Sequence, residues 1–372
     1  MKKLSALVLL SCLHLASWAA NDIVIGQTAD FSSVAGGQMK DFNAGALAAL
    51  ARVNAAGGVK GRPIRLQTLD DAFSADKATA NAKQLVGQPS VVALFGTRGT
   101  DPTEAVMKVA EAARMPLIAP ITGADTVRKS RVTFPVRAGY RTEIDGMLRH
   151  MAIAPSRVAV LVQNDKFGNP LSAFIEERVA QQYKTLELVA KVPFERKSTD
   201  LHGQAAQVLA ANPHAVIALC NPSSCEAFIK QLLEQSRASG RPRPTVYQTS
   251  ISDIYAQFAK LGAVIVQGSP YGQVLPDPHR LFSPLSKEFS AAMAKTKGPV
   301  NYRSYEGYIS AKVLIEALSR ASTISSQGVQ DALEGMGNVD LGGFSVRYGP
   351  ESRQGSTYFD LVTMDKDGRL VH

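Results

Sequence analysis

The 372-residue chain is 45% hydrophobic and carries a formal net charge of +9, its cations mixed with acids along the length. Single hydrophobic cores stop growing before this size, so two cored units are expected. A scattered basic excess without interleaved stacking aromatics argues against nucleic acid and is compatible with an anionic ligand or an acidic partner surface.

Lys2-Lys3, the mostly apolar run 4–15 and the small residues of Ser17-Trp18-Ala19 predict an export signal over 1–19, cleaved after Ala19. The run is shorter than the roughly 20 apolar residues that span a bilayer. A lipoprotein signal at Leu9-Leu10-Ser11-Cys12 would cut the apolar run in half, because it continues through Leu13 and Leu15. No later segment is long and apolar enough to cross a membrane, so a soluble exported chain is expected.

From there strand and helix alternate. A strand at 23–27 precedes a helix at 41–55, in which Phe42, Ala46, Leu47, Ala49, Leu50 and Val53 recur at helical spacing. Asn54 to Gly58 stops it, since glycine accepts the left-handed turn of a helix end. Strand 64–69 runs into Asp70-Asp71, then helix 75–86, strand 91–95, helix 103–113 and strand 116–119 follow. The rhythm restarts after Gly139-Tyr140: strand 158–163, helix 171–182, strand 187–192, helix 203–211, strand 215–219, helix 226–236 and strand 245–248. The tail breaks it with helices 305–321 and 326–334, then strands at 344–346 and 358–364 of antiparallel character and a turn at Asp365-Lys366-Asp367-Gly368. Short apolar strands between amphipathic helices predict an α/β architecture of parallel sheets covered on both faces. Ligands of such sheets bind beyond the carboxyl ends of the strands.

Cys220 and Cys225, spaced as Cys-Asn-Pro-Ser-Ser-Cys, are the cysteines left after processing, and an exported location predicts a structural disulfide between them. The spacer is four residues where redox motifs carry two, and no histidine stands nearby to complete a metal site.

The helix, its Asn54-Ala55-Ala56-Gly57-Gly58 stop, the basic turn Lys60-Gly61-Arg62-Pro63, the strand and Asp70-Asp71 together resemble the start of the leucine/isoleucine/valine-binding family, periplasmic solute receptors that feed ABC transporters. The resemblance extends over essentially the whole mature chain. It implies a two-lobed periplasmic binding protein type I fold, each lobe a mostly parallel sheet flanked by helices, with three crossovers. These fall near Arg137-Ala138-Gly139, Ser269-Pro270-Tyr271-Gly272 and Gly342-Gly343-Phe344, giving lobe one as 20–138 plus 272–342 and lobe two as 139–271 plus 343–372.

The same resemblance directs attention to particular loops. In Gly96-Thr97-Arg98-Gly99-Thr100-Asp101-Pro102-Thr103, Thr100 falls on a hydroxyl position that holds a ligand carboxylate, aided by helix N-terminal amides. Arg98 either turns inward as a charged fork or is solvated, and Thr100 and Thr103 either bind or merely cap. Ile121, Thr122 and Gly123 follow the next strand, and Phe31 or Ser33 would line the same cleft. In lobe two, Phe167 replaces a frequent tyrosine and Asn221 lies near another. Ser250 stands where amino-acid binders carry an acid for the ligand ammonium, with Asp253 as a possible replacement. Tyr140, Tyr271 and Gln273 sit at the crossings, where they either close over a ligand or pack the hinge.

An enzyme is disfavoured. The chain lacks a nucleophile elbow, a zinc helix signature and a phosphate loop, its six histidines are scattered, and Asp70-Asp71 is structural in the family. The expectation is a monomeric periplasmic receptor without cofactor or metal, trapping an amino acid or small carboxylate by hinge closure and delivering it to a membrane permease. The alternative is a ligand sensor of the amide or urea receptor kind, which would be fused to a span or effector that the sequence to His372 does not show.

Overall fold

In a computed structural model describing residues 22–33 and 36–372, the chain forms two α/β lobes, each built on its own sheet. The expected export signal at 1–19 lies outside the described residues. Among the described residues no helix is long and apolar enough to cross a membrane.

The first sheet has the order β2-β1-β3-β4-β5. Its strands are β1 (Ile23–Ala29), β2 (Ile64–Asp70), β3 (Val91–Phe95), β4 (Leu117–Ile118) and β5 (Thr133–Phe134), all parallel. β1 and β3 are buried end to end, as strands of a doubly covered parallel sheet should be; β3 is an unbroken apolar run, while β1 also buries Gln27 and Thr28. Four helices lie between these strands: α1 (Gly36–Ala55), α2 (Ala75–Val86), α3 (Thr100–Ala113) and α4 (Asp125–Lys129). The stop read at Asn54–Gly58 has a definite mechanism. Asn54 exchanges side-chain hydrogen bonds with the backbone of Ile64 (2.8 and 2.9 Å), tying the helix end to the first residue of β2. Gly58, at φ +75°, lies so near Arg62 that a Cβ would stand 2.2 Å from its carbonyl oxygen.

The second sheet has the order β15-β14-β10-β9-β8-β6-β7. Its parallel part comprises β6 (Ser156–Gln163), β7 (Leu186–Phe194), β8 (Ala215–Leu219), β9 (Thr245–Gln248) and β10 (Tyr271–Gln273). Helices α5 (Tyr140–Met151), α6 (Gly168–Gln181), α7 (His202–Ala210), α8 (Pro222–Ser239), α9 (Ile254–Leu261) and α10 (Ala263–Val266) belong to this stretch. Three further helices, α11 (Pro284–Thr296), α12 (Tyr302–Arg320) and α13 (Ser326–Glu334), complete the first lobe, with α12 buried against α1.

A small antiparallel sheet of β11 (Gly337–Asp340), β12 (Ser345–Gly349) and β13 (Ser352–Gly355) follows. It packs on the first lobe: Tyr348 donates to the Pro135 carbonyl at 2.8 Å, and the Ser356 amide donates to Val136. The chain reaches the second sheet at β14 (Asp360–Met364), antiparallel to both β10 and β15 (Leu370–Val371). The boundary expected at 342–344 therefore falls within a sheet bonded to the first lobe. Gln273, expected just inside lobe one, instead pairs with Asp360 in the second sheet.

Candidate functional site

The carboxyl ends of β3, β4, β6 and β8 face one another across the gap between the lobes. On the first-lobe side, Gly96 and Gly99 take positive φ (64° and 78°), turning the chain from β3 into α3. Gly99 is the N-cap and offers no side chain, so the amides of the first turn of α3 are not capped by one. Thr103 does not cap either; its hydroxyl bonds Thr97 at 2.9 Å. The Thr100 hydroxyl bonds that of Thr122 at 3.1 Å, and a parallel bridge between Arg98 and Ile121 holds the two loops together.

Arg98 is 6% exposed, so the solvated reading fails. Its guanidinium donates to Asp30 at 3.0 Å and to Gln38 at 3.2 Å and lies 5.0 Å from the Phe73 ring centre. Burial pulls its pKa down to about 10 against the support of Asp30. Ser33 is held to Asp30, and Phe31 packs against the first-lobe core.

On the second-lobe side, Asp165 accepts the amides of Phe167 and Gly168 (2.9 and 3.0 Å) and so shapes the start of α6. Phe167 meets Tyr140 edge to face, ring centres 5.0 Å apart. Asn221 is the N-cap of α8, its side chain makes no capping bond, and its amide donates to Gln163. Beside it, Cys220 and Cys225 are joined as a disulfide with Cα atoms 5.4 Å apart, both fully buried.

Arg98, Thr100, Ile121, Tyr140, Phe167 and Asn221 thus converge on one cleft with a cavity of about 30 Å³. A wider recess of about 840 Å³ shares Phe73, Arg98 and Asn221 with it. Thr122 and Gly123 stand behind the wall. Thr122 supports Thr100, while the Gly123 carbonyl accepts the Tyr140 amide so closely that a Cβ would lie 2.5 Å from that nitrogen.

Two expected residues are elsewhere. Tyr271 is fully buried in the second sheet and donates to Gln257 at 2.6 Å. Ser250 belongs to a buried charge network at the back of the cleft. Its amide and hydroxyl donate to Glu143 (2.7 and 2.9 Å), its carbonyl accepts Arg303, and Arg137 donates to its hydroxyl. Arg137 also lies 3.5 Å from both Glu143 and Glu306, and Glu306 pairs with Arg303 at 2.7 Å. Burial raises the Glu143 pKa despite Arg137. For Arg137, burial is outweighed by Glu306 and Glu143, so its pKa rises. Asp253 caps α9 by accepting the Ala256 amide at 3.1 Å. Sequence reasoning missed Gln38, Phe73, Gln163, Arg196 and Ile251 as cleft residues. Arg196 carried a usable signal, since it follows the carboxyl end of a parallel strand.

The comparisons agree with this architecture. The family model described as "Periplasmic binding protein" matches residues 22–369. The Leu/Ile/Val-binding protein homolog 7 of Brucella suis biovar 1 is 23% identical over 390 residues, covering 100% of this chain and 96% of that protein. A substrate-binding periplasmic protein from Ralstonia solanacearum superposes with a TM-score of 0.86 at 28% identity, covering 94% of this chain and 99% of that one. A branched-chain amino acid ABC transporter structure from Thermus thermophilus with bound valine (TM-score 0.81, 14% identity, 94% of each chain) shares the fold. So does a fatty acid ABC transporter substrate-binding protein from Thermomonospora curvata (TM-score 0.82, 19% identity, 94% and 91% covered). With a match along nearly its whole length, two lobes and a polar cleft between them, the chain belongs to the periplasmic binding protein family of the Leu/Ile/Val-binding type, exported solute receptors that serve ABC importers and not enzymes.

Proposed function

We propose that the solute is a small carboxylate without an ammonium group, trapped by closure of the lobes and handed to the permease. The observation that carries this is the state of the cleft's acids. Asp30 is paired with Arg98, and Asp101 and Asp165 both face Arg196. Glu143 and Glu306 are held by Arg137 and Arg303. A ligand ammonium would have to displace one of the chain's own arginines or remain buried without a counter-charge, which is costly. The opposite charge is well provided for. The uncapped first turn of α3 with the Thr100 hydroxyl, and the first turn of α8 behind Asn221, both present backbone amides to the gap. Ile121, Phe73, Tyr140 and Phe167 offer apolar surface for the rest of the molecule.

Fold likeness does not fix the solute. The relatives titled for valine and for fatty acid share one architecture with this chain. The contacts of β13 and β14 support passages between lobes at about 135–139, just after Gln273, and at about 356–359.

Mass spectrometry of small molecules released on denaturing the purified receptor identifies the candidate class. Calorimetry with valine and with its desamino counterpart 3-methylbutanoate then tests the charge argument, the expected order being the acid over the amino acid. Thr100→Ala is expected to weaken carboxylate binding about tenfold or more, the usual cost of a hydrogen bond to a charged group. Tight valine binding without affinity for the desamino acid would overturn the proposal.

A further inference from the structure

We infer that Arg196 and Phe73 form a latch that holds the two lobes shut over the cleft. This rests on the reading that the receptor works by lobe closure. Arg196 follows β7 in the second lobe, yet its partners lie mainly in the first. It binds Asp101, in the first turn of α3, at 2.5 Å, and its guanidinium carbon stands 4.6 Å from the Phe73 ring centre. Asp165 of its own lobe is more distant, at 3.8 Å.

Phe73 is built to be seized. Ala72 and Phe73 both occupy the left-handed region, at φ +49° and +59°, which side chains of this kind rarely adopt. The two aspartates that precede them hold the turn. Asp70 accepts the Ala72 amide and Asp71 the Phe73 amide, at 3.0 and 2.9 Å. Gly99 clears the ring's place, since a Cβ there would lie 2.4 Å from it. Strain of this kind persists where surrounding structure over-determines it, and it clusters at clamps and switches. The ring ends up between two guanidiniums, Arg98 from its own lobe and Arg196 from across the gap.

The rim around the latch has one polarity. Lys166 of the second lobe pairs with Glu104 of α3 at 2.8 Å, and Arg141 of α5 pairs with Asp125 of α4. At all three places the cation comes from the second lobe and the carboxylate from the N-terminal half of a first-lobe helix; Asp101 and Asp125 stand in first turns, where the helix dipole also favours them. Lys166 and Arg141 are more than half exposed, so their pairs are weak. Arg196 is three-quarters buried and covers a ring of the opposite lobe, whereas Arg141 lies over Phe174 of its own lobe.

The test reads the lobe separation directly. Spin labels at Lys77→Cys and Glu234→Cys, exposed positions on α2 and α8, report the distance across the gap by pulsed electron resonance. Cys220 and Cys225 are bonded and take no label. The protein is first freed of small molecules by reversible unfolding, and unfolding midpoints confirm that each variant is folded. Wild type is expected to show a short and a long distance. Arg196→Gln and Phe73→Ala should each shift the closed-to-open ratio roughly tenfold toward open, in line with one largely buried ion pair and one cation–π contact. Arg196→Lys should retain part of the effect. The swap Arg196→Asp with Asp101→Arg should recover more closed form than either single change. Two distances in wild type with no response to these variants would overturn the latch and leave closure standing. A single unchanging distance in wild type would overturn the closure reading, and the latch with it.

Discussion

Asp71 shows how one carboxylate can serve a turn at a cost in electrostatics. It accepts the Phe73 amide and the Thr28 hydroxyl (3.2 Å), yet burial dominates and lifts its pKa to about 6, with Asp30 and Asp70 adding to the rise. A folded-state pKa above the unfolded value of 3.8 means that the folded form binds the proton more tightly. That contribution to stability is complete below the unfolded value and is lost as pH rises through about 6. An asparagine keeps the acceptor for Phe73 without the charge. Asp71→Asn is therefore expected to gain stability over wild type at pH 7, by up to about 2 kcal/mol, and to lose that advantage at pH 4. Urea unfolding at the two pH values checks it; an equal difference at both would show that Asp71 does not titrate in this window. Residues like this mark the limit of sequence reading. The structural reading of Asp70-Asp71 came from the family resemblance, and Thr100 was singled out by that resemblance together with its place after a parallel strand. Ser250 was not, because its fate depends on Glu143 and Arg137, which are remote in sequence and approach it only in the fold.

Elements were legible where a single period governed them. Helix 75–86 and strands 91–95, 215–219 and 245–248 coincide with observed bounds, since residues that cap or turn the chain, such as Ser74 and Gly87 or Ser90 and Gly96, flank them. Helices α5, α9 and α11 and the short β10 were missed; in α5 the signal was present and went unread, since Tyr140, Ile144, Met147, Leu148 and Met151 are buried at helical spacing, while the three residues of β10 are too few to show a period. The contact between α1 and α12 depends on something no periodicity analysis reads, the absence of side chains. A Cβ on Gly307 would lie 1.8 Å from the Phe42 carbonyl oxygen, and one on Gly45 would lie 1.7 Å from that of Ser304. Alanine is the better helix former by about 1 kcal/mol, but a backbone carbonyl cannot yield as a flexible side chain does. Gly307→Ala should then destabilise the protein by about 2 kcal/mol or more. Gly203→Ala, in α7 with nothing within 4 Å of the new atom, should be neutral or slightly stabilising. The two denaturation midpoints should move apart; if they move together, the helix contact has room that this geometry denies it.

At the scale of the whole molecule, the two lobes are joined by more than polypeptide. Arg137 stands where the chain first leaves the first lobe, Glu306 and Arg303 lie on α12 of that lobe, and Glu143 and Ser250 belong to the second. All of them are at least 95% buried, so each charge depends on its partners and not on water. Arg137 is the common member, facing Glu143 and Glu306 at 3.5 Å each and donating to Ser250. A network shared between two cores makes the unfolding of one costly to the other, so wild type should melt in a single cooperative transition. Arg137→Met keeps much of the volume and leaves two buried carboxylates short of a cation, a change that costs about 3–5 kcal/mol when a buried pair is broken. Scanning calorimetry should show the melt shifted down and separated into two transitions, one for each lobe. A single transition with a loss below about 1 kcal/mol would mean that the lobes are coupled by α12 and the crossing segments alone. The charges behind the cleft would then serve the site rather than the joint.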